Sequence, residues 1–196
     1  MKKIFFLAIA VALSVVLNAQ TKLNADEFFY SQRSDKILQM LYDECPSLGE
    51  DATFQYGLVD FDQDGISELW VRDVSGDNGA FFCRGGDKLE IIATAWSKSH
   101  VSVKGNVVCS SGSAGTGAFY TLYCEIENST LAHSASDMQL HNFETNKLVH
   151  ECEYDGKEVS WKWFKSNFLK KIGEGFDAPQ NDVWMPFERL TGTDKQ

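Results

Sequence analysis

The segment Asp60-Phe61-Asp62-Gln63-Asp64-Gly65-Ile66-Ser67-Glu68 constrains this chain more than any other stretch. Three of its acids, Asp60, Asp62 and Asp64, stand at alternate positions, and a fourth, Glu68, stands at the ninth. On its N-terminal side Phe54, Tyr56 and Leu58 alternate with Gln55, Gly57 and Val59, and on its C-terminal side comes Leu69-Trp70-Val71. Both stretches read as strands. The chain therefore contains a strand pair whose connection is crowded with carboxylates.

Calcium takes six to eight oxygen ligands at roughly 2.3–2.6 Å. Acids at alternate positions of a tightly curled loop converge on one point, and Asp60, Asp62 and Asp64 occupy those positions. Gly65 follows where the backbone must turn sharply, which glycine does without strain. Ile66 is then placed to aim its backbone carbonyl inward, and Glu68, at the ninth position, to close the shell. The expected ligand set is Asp60, Asp62, Asp64, Ile66 and Glu68, with Ca2+ in a structural role. A plain acidic turn is the alternative, since Asp and Gly are common turn formers, but a plain turn has no need of three acids that repel. A helix–loop–helix calcium hand is excluded: its twelfth position is Glu, here Val71, and its flanks are helices.

The N-terminus has the layout of a secretory signal peptide. Met1-Lys2-Lys3 is positive, residues 4–17 are apolar apart from Ser14, and Leu17-Asn18-Ala19 offers small residues for cleavage before Gln20. The apolar run is short for a membrane span, which needs about 20 residues. The expected organisation is a signal peptide over 1–19 and one α+β calcium-loop domain over 20–196, periplasmic or extracellular, without a membrane span after cleavage. The whole chain has 18 basic and 28 acidic residues. Removing the two leader lysines leaves a charge of −12, which repels phosphate backbones and argues against nucleic acid as a partner.

Export permits disulfides. The five cysteines, Cys45, Cys83, Cys109, Cys124 and Cys152, are odd in number and contain no Cys-x-x-Cys pair, which disfavours a zinc ribbon or a redox site. Cys109 and Cys124 flank a Gly/Ser-rich turn and are placed to face each other across a hairpin. The other reading makes most of the five small buried apolar groups.

Residues 24–44 read as a helix, with Asn24 and Glu27 as a capping box and Pro46 and Gly49 ending it. After the acidic loop, strands are expected over 80–84, 89–95, 101–104, 107–110, 118–127, 131–142 and 148–154, separated by Gly/Asn turns. Ser160 reads as the cap of a second amphipathic helix over 161–172, stopped by Gly173. The tail over 176–190 is expected to lie irregularly across the body. The fold class is α+β: a mostly antiparallel β-meander with an N-terminal and a C-terminal helix.

The acidic loop resembles the Asp-x-Asp-x-Asp-Gly-x-x-Asp/Glu loops of integrin-type and FG-GAP repeat proteins, which sit between strands. The resemblance implies that the ninth-position acid, here Glu68, is a ligand. The wider stretch 54–172, with the Asp155-Gly156 turn and the short helix after it, resembles small exported proteins and lipoproteins of gut-type bacteria, a group that brings no established activity and so no catalytic residues.

Other signals point to structure. Residues 112–117 look like a phosphate loop but lack the Gly-Lys-Ser/Thr ending and a βαβ setting, so they read as a hairpin loop. Ser113 lacks a hydrolase elbow. His100, His133, His141 and His150 are scattered, without zinc spacing. Trp161 and Trp163 cannot share one narrow helical face, which leaves at least one near the surface or under the C-terminal tail. No catalytic constellation stands out. The expected role is therefore a calcium-stabilised binding module for an unknown protein or glycan. The alternative is a secreted hydrolase of cell-wall or polysaccharide material, which needs two carboxylates about 5–10 Å apart. For it the strand acids Glu90, Glu125, Glu127, Glu144, Glu151 and Glu153 are the pool.

Overall fold

The computed structural model describes residues 27–190 apart from 33, 46–47, 49–51, 61, 76–77, 86–87, 97 and 180–182. The leader, Asn24, Pro46, Gly49 and Phe61 lie outside the described residues.

The expected N-terminal helix is two pieces. A helical stretch covers residues 27–31, and α1 spans Ser34–Glu44. The break has a local cause. Ser31 Oγ and Gln32 Nε2 both donate to the Phe28 carbonyl, at 2.7 and 3.1 Å, and such side-chain bonds satisfy a helix terminus and end it. In α1, Ile37 and Leu41 lie one turn apart and are fully buried.

Eleven strands follow among the described residues, all paired antiparallel, in two sheets. The first has the order β11-β1-β2-β3-β4 and the second β10-β9-β8-β7-β6-β5. In the first sheet β1 is Phe54–Val59, β2 Glu68–Asp73, β3 Gly79–Gly85, β4 Lys88–Ala95 and β11 Met185–Pro186. In the second, β5 is Ser99–Lys104, β6 Val107–Gly115, β7 Ala118–Glu127, β8 Thr130–Asn142, β9 Lys147–Tyr154 and β10 Lys157–Val159. The mostly antiparallel meander stands as expected.

Period-two alternation sorts the core into three clusters and the chain into four layers. Leu69 and Val71 of β2 and Ala80 and Phe82 of β3 face the N-terminal helices. Phe81 and Cys83 point the other way and meet Val108, Cys124 and Ile126 of the second sheet. β3 is thus buried on both faces. On the far face of the second sheet, Ala135 and Cys152 pack against Phe164 and Phe168 of the late helix.

That helix, α2, runs as Trp161–Trp163, a wider π-type turn over Phe164–Leu169, and Lys170–Ile172. Ser160 caps it, accepting from the Trp163 N–H at 3.2 Å, and Gly173 at φ +70° ends it. It is not strictly C-terminal. The tail beyond it bridges Asp177 to Val103 on edge strand β5, then pairs β11 with β1, Tyr56 opposite Met185. Phe187 and Leu190 then enter the first core. The expected irregular tail is a strap across both sheets.

The Gly/Ser run is also more ordered than a hairpin loop, because β6 continues to Gly115. At Gly112 a Cβ would lie 2.3 Å from the Lys98 carbonyl, so glycine permits the close approach of β5. No helix among the described residues is long and apolar enough to cross a membrane.

All five cysteines are free and buried. In the β6–β7 register Cys109 stands opposite Tyr123 and Cys124 opposite Val108. Directly opposed residues share a face, so the two thiols point to opposite sides of the sheet and the disulfide placed between them is incorrect. Burial pushes Cys45 and Cys109 up to about 11, and Cys83, Cys124 and Cys152 up to about 12. Only the thiolate attacks a disulfide reagent. At pH 8 a thiol of pKa 11 is about one part in a thousand ionised. The five thiols should stay unreactive toward an aromatic disulfide reagent in the folded protein and all react within minutes in denaturant. Rapid native labelling of two or more would contradict the burial.

Candidate metal centre

The β1–β2 connection is built around its own acids. The last rung of the ladder is Val59 opposite Glu68, and the chain then folds back over residues 60–67. Asp60 Oδ2 accepts from the Gly65 N–H at 3.1 Å, Asp62 Oδ1 from the Asp64 N–H at 3.3 Å, and Asp64 Oδ1 from the Ile66 N–H at 2.6 Å. Each aspartate spends one oxygen curling the loop, Asp62 and Asp64 in the manner of Asx turns and Asp60 by reaching five residues on. Among the described residues of the loop, Gln63 at φ +60° and Gly65 at φ +88° take the left-handed conformation. Gly65 accepts it at no steric cost. A β-carbon there would meet no atom within 4 Å, so conformation rather than space requires the glycine.

The result is convergence. Carboxylate oxygens of Asp60, Asp62 and Asp64 lie within 4.8 Å of one another. Asp60 Oδ1 is buried and accepts no hydrogen bond. An oxygen in that state carries a desolvation cost that a hydrogen bond or a cation would offset. Burial first, and the neighbouring Asp64 and Asp60 charges next, push the Asp62 carboxyl up to about 6. Three hard oxygen donors of this kind can hold a metal ion, and hard oxygens suit calcium or magnesium over zinc or copper.

The other two expected ligands stand differently. Ile66 is half-buried in the loop, with its N–H bonded to Asp64. Glu68 begins β2, is fully buried, and lies outside the three-aspartate group. It shares a strand face with Trp70 and Arg72 by period-two alternation, and its charge contributes to raising the Cys83 thiol.

The four histidines are each bonded locally. His100 bonds Ser111 at 3.3 Å, His133 bonds Asp155 at 2.9 Å, His141 bonds Asn146 at 3.0 Å and His150 bonds Asp137 at 3.0 Å. The four lie apart, as their spacing indicates. Asp137 is 3% exposed, and Trp161 stacks on the His150 ring at 3.7 Å. Sequence reasoning missed this pairing because only the β8–β9 register brings the two strands together. Among the strand acids, buried Glu125 pairs with Lys171 at 2.8 Å, while Glu151 and Glu153 line an open cleft together with Glu158.

The raised Asp62 carboxyl has a signed consequence. Its folded value, about 6, lies above the usual unfolded value near 4. The folded form therefore holds the proton more tightly. The stabilisation from protonation is complete below the unfolded value and is lost as pH rises through about 6. In chelator at pH 7.5, Asp62→Asn should raise stability by up to about 1 kcal/mol, the scale of a partly solvated charge interaction. At pH 3.5 it should change nothing. Urea melts at the two pH values check this, and destabilisation at pH 7.5 in chelator would contradict it.

No protein-family model, curated protein or solved structure matches this chain, so its own loop geometry carries the functional reading.

Proposed function

We propose that this protein is an exported binding module, periplasmic or extracellular, whose fold is stabilised by one calcium ion. The observation that supports it is the loop: three carboxylates gathered within 4.8 Å, one of whose oxygens is buried without a hydrogen bond. Asp60, Asp62 and Asp64 supply side-chain oxygens, Ile66 its backbone carbonyl, and Glu68 the ninth-position carboxylate. When bound, the ion supplies positive charge that cancels their repulsion and fixes the hairpin tip. The partner is a protein or a glycan.

The role is structural because of where the loop stands. It closes the β1–β2 pair, and that pair carries β11 on one edge and the N-terminal helices on one face. Calcium sites of extracellular modules have dissociation constants of roughly 0.1–1 mM. With a constant near 0.1 mM, about 1 mM calcium adds about 1.4 kcal/mol.

For a chain of this size that corresponds to a rise in Tm of about 3–6 °C. Calorimetric titration of chelator-treated protein should give one saturable calcium site, with a weaker response to magnesium, which demands near-octahedral geometry. Asp60→Asn and Asp64→Asn should each abolish the Tm gain. Absence of both heat and Tm shift would sink the calcium reading. Turnover of a cell-wall or plant glycan, lost on replacing Glu151 or Glu153, would favour the hydrolase instead.

A further inference from the structure

A second concave feature lies away from the acidic loop, where the strap crosses between the two sheets. It is a pocket of about 310 Å³ lined by Trp70 and Arg72 of β2, residues 99–101 of β5, and Trp184 of the tail, among others. Of its nine lining residues, Arg72 alone carries a permanent charge.

The state of that arginine is unusual. Its guanidinium carbon sits 3.5 Å from the Trp184 ring centroid and 5.7 Å from that of Trp70. Trp184 in turn packs edge-on against Trp70 at 4.8 Å. Arg72 Nε is buried with no acceptor, and no carboxylate lies within ion-pair distance of its guanidinium among the described residues. Asp73 beside it lends a favourable field, but its oxygens accept from Ser75 at 2.8 Å and Asn78 at 3.0 Å. In a chain with 28 acids and 18 bases, an arginine laid over an indole and without an acidic ion-pair partner among the described residues is a guanidinium placed to receive an outside anion. Stacking fixes its plane, and a fixed plane presents its donors in the fork that matches a carboxylate.

We propose that this pocket binds a small carboxylate monoanion, with Arg72 as the anion receptor and Trp70 and Trp184 as the walls that orient it. The class follows from charge and size. One cation matches one negative charge, and the net charge of −10 works against multiply charged anions. Ala95, Val101, Ala178 and Pro179 of the lining are apolar and suit a ring or short carbon body beside the carboxylate. Ser99 Oγ is already committed, accepting from the Trp96 N–H at 2.7 Å and donating to its carbonyl at 3.1 Å, and His100 Nε2 is bonded to Ser111 Oγ at 3.3 Å, so recognition of the charge falls to Arg72. This names a ligand class for the binding role proposed above. It rests on that role but not on the calcium loop.

The test titrates the full chain with sodium glucuronate, benzoate and acetate at constant ionic strength. Glucose and sulfate serve as controls, and tryptophan fluorescence and ligand-observed NMR as readouts. A saturable response with a dissociation constant of about 1 mM is expected for at least one carboxylate, and none for glucose. Response to glucuronate alone identifies a sugar acid, whereas response to benzoate or acetate as well identifies the carboxylate group at large. Arg72→Met, which keeps bulk on Trp184 without charge, should weaken binding at least about tenfold, and Arg72→Lys, charged but without the fork, should fall between. Circular dichroism confirms that each variant is folded, with Arg72→Lys deciding if Arg72→Met is not. No saturable carboxylate response up to about 100 mM, equal affinity for sulfate, or undiminished binding by a folded Arg72 variant would overturn the proposal. A calcium titration on the same samples reads the loop separately, so the two can fail independently.

Discussion

Like-charge repulsion at the tip of the β1–β2 hairpin is the interaction on which much else depends. Three aspartates are drawn within 4.8 Å of one another by backbone N–H groups of their own loop. The Val59–Glu68 rung directly beneath them is the last of the ladder. Anything that opens the tip loosens that rung first, and β1 is also the strand on which β11 docks. A divalent ion bound among the three aspartates would offset most of their repulsion. Bound there, it would hold the hairpin tip closed.

β2 divides its labour by parity. Leu69 and Val71 enter the core beneath the N-terminal helices. Glu68, Trp70 and Arg72 face the other way, which leads from the acidic loop, past the inter-sheet core, to the pocket under the strap. The strap completes the arrangement. Asp177 bridges to β5 of one sheet, and Met185–Pro186 pairs with β1 of the other, so the tail ties the sheets at the end where Trp184 meets Arg72. The sheets are otherwise joined by a buried apolar cluster that includes Cys83 and Cys124. These cysteines behave as small apolar side chains, in keeping with the odd count and the lack of paired spacing.

Features whose chemistry is local were legible from the residues alone. The curled loop needed its alternate aspartates and Gly65, the α2 start needed Ser160, and the hairpin turns needed Gly105, Asn106, Asp155 and Gly156, all of which take their places here. What escaped depends on distant partners. β11 is two residues long and contains a proline, so it has no periodicity to read, and it exists only because β1 has a free edge. The helix break at Gln32 turns on two side chains bonding one carbonyl. The Cys109–Cys124 pairing failed through a single residue of register. Arg72 and Trp184 are more than a hundred positions apart, and only their meeting under the strap makes a pocket. For the site itself, the three aspartates were readable because they are neighbours, whereas the burial of Glu68 follows from its place at the start of β2, inside the first sheet.

Hydrogen–deuterium exchange with and without calcium tests the central claim most directly, because it locates the effect. The account predicts that calcium slows exchange in residues 54–73 and in the β11 segment, while β8 and β9, on the far sheet, exchange as before. Equal rates in both conditions across the hairpin, or slowing confined to segments away from residues 60–68, would contradict it.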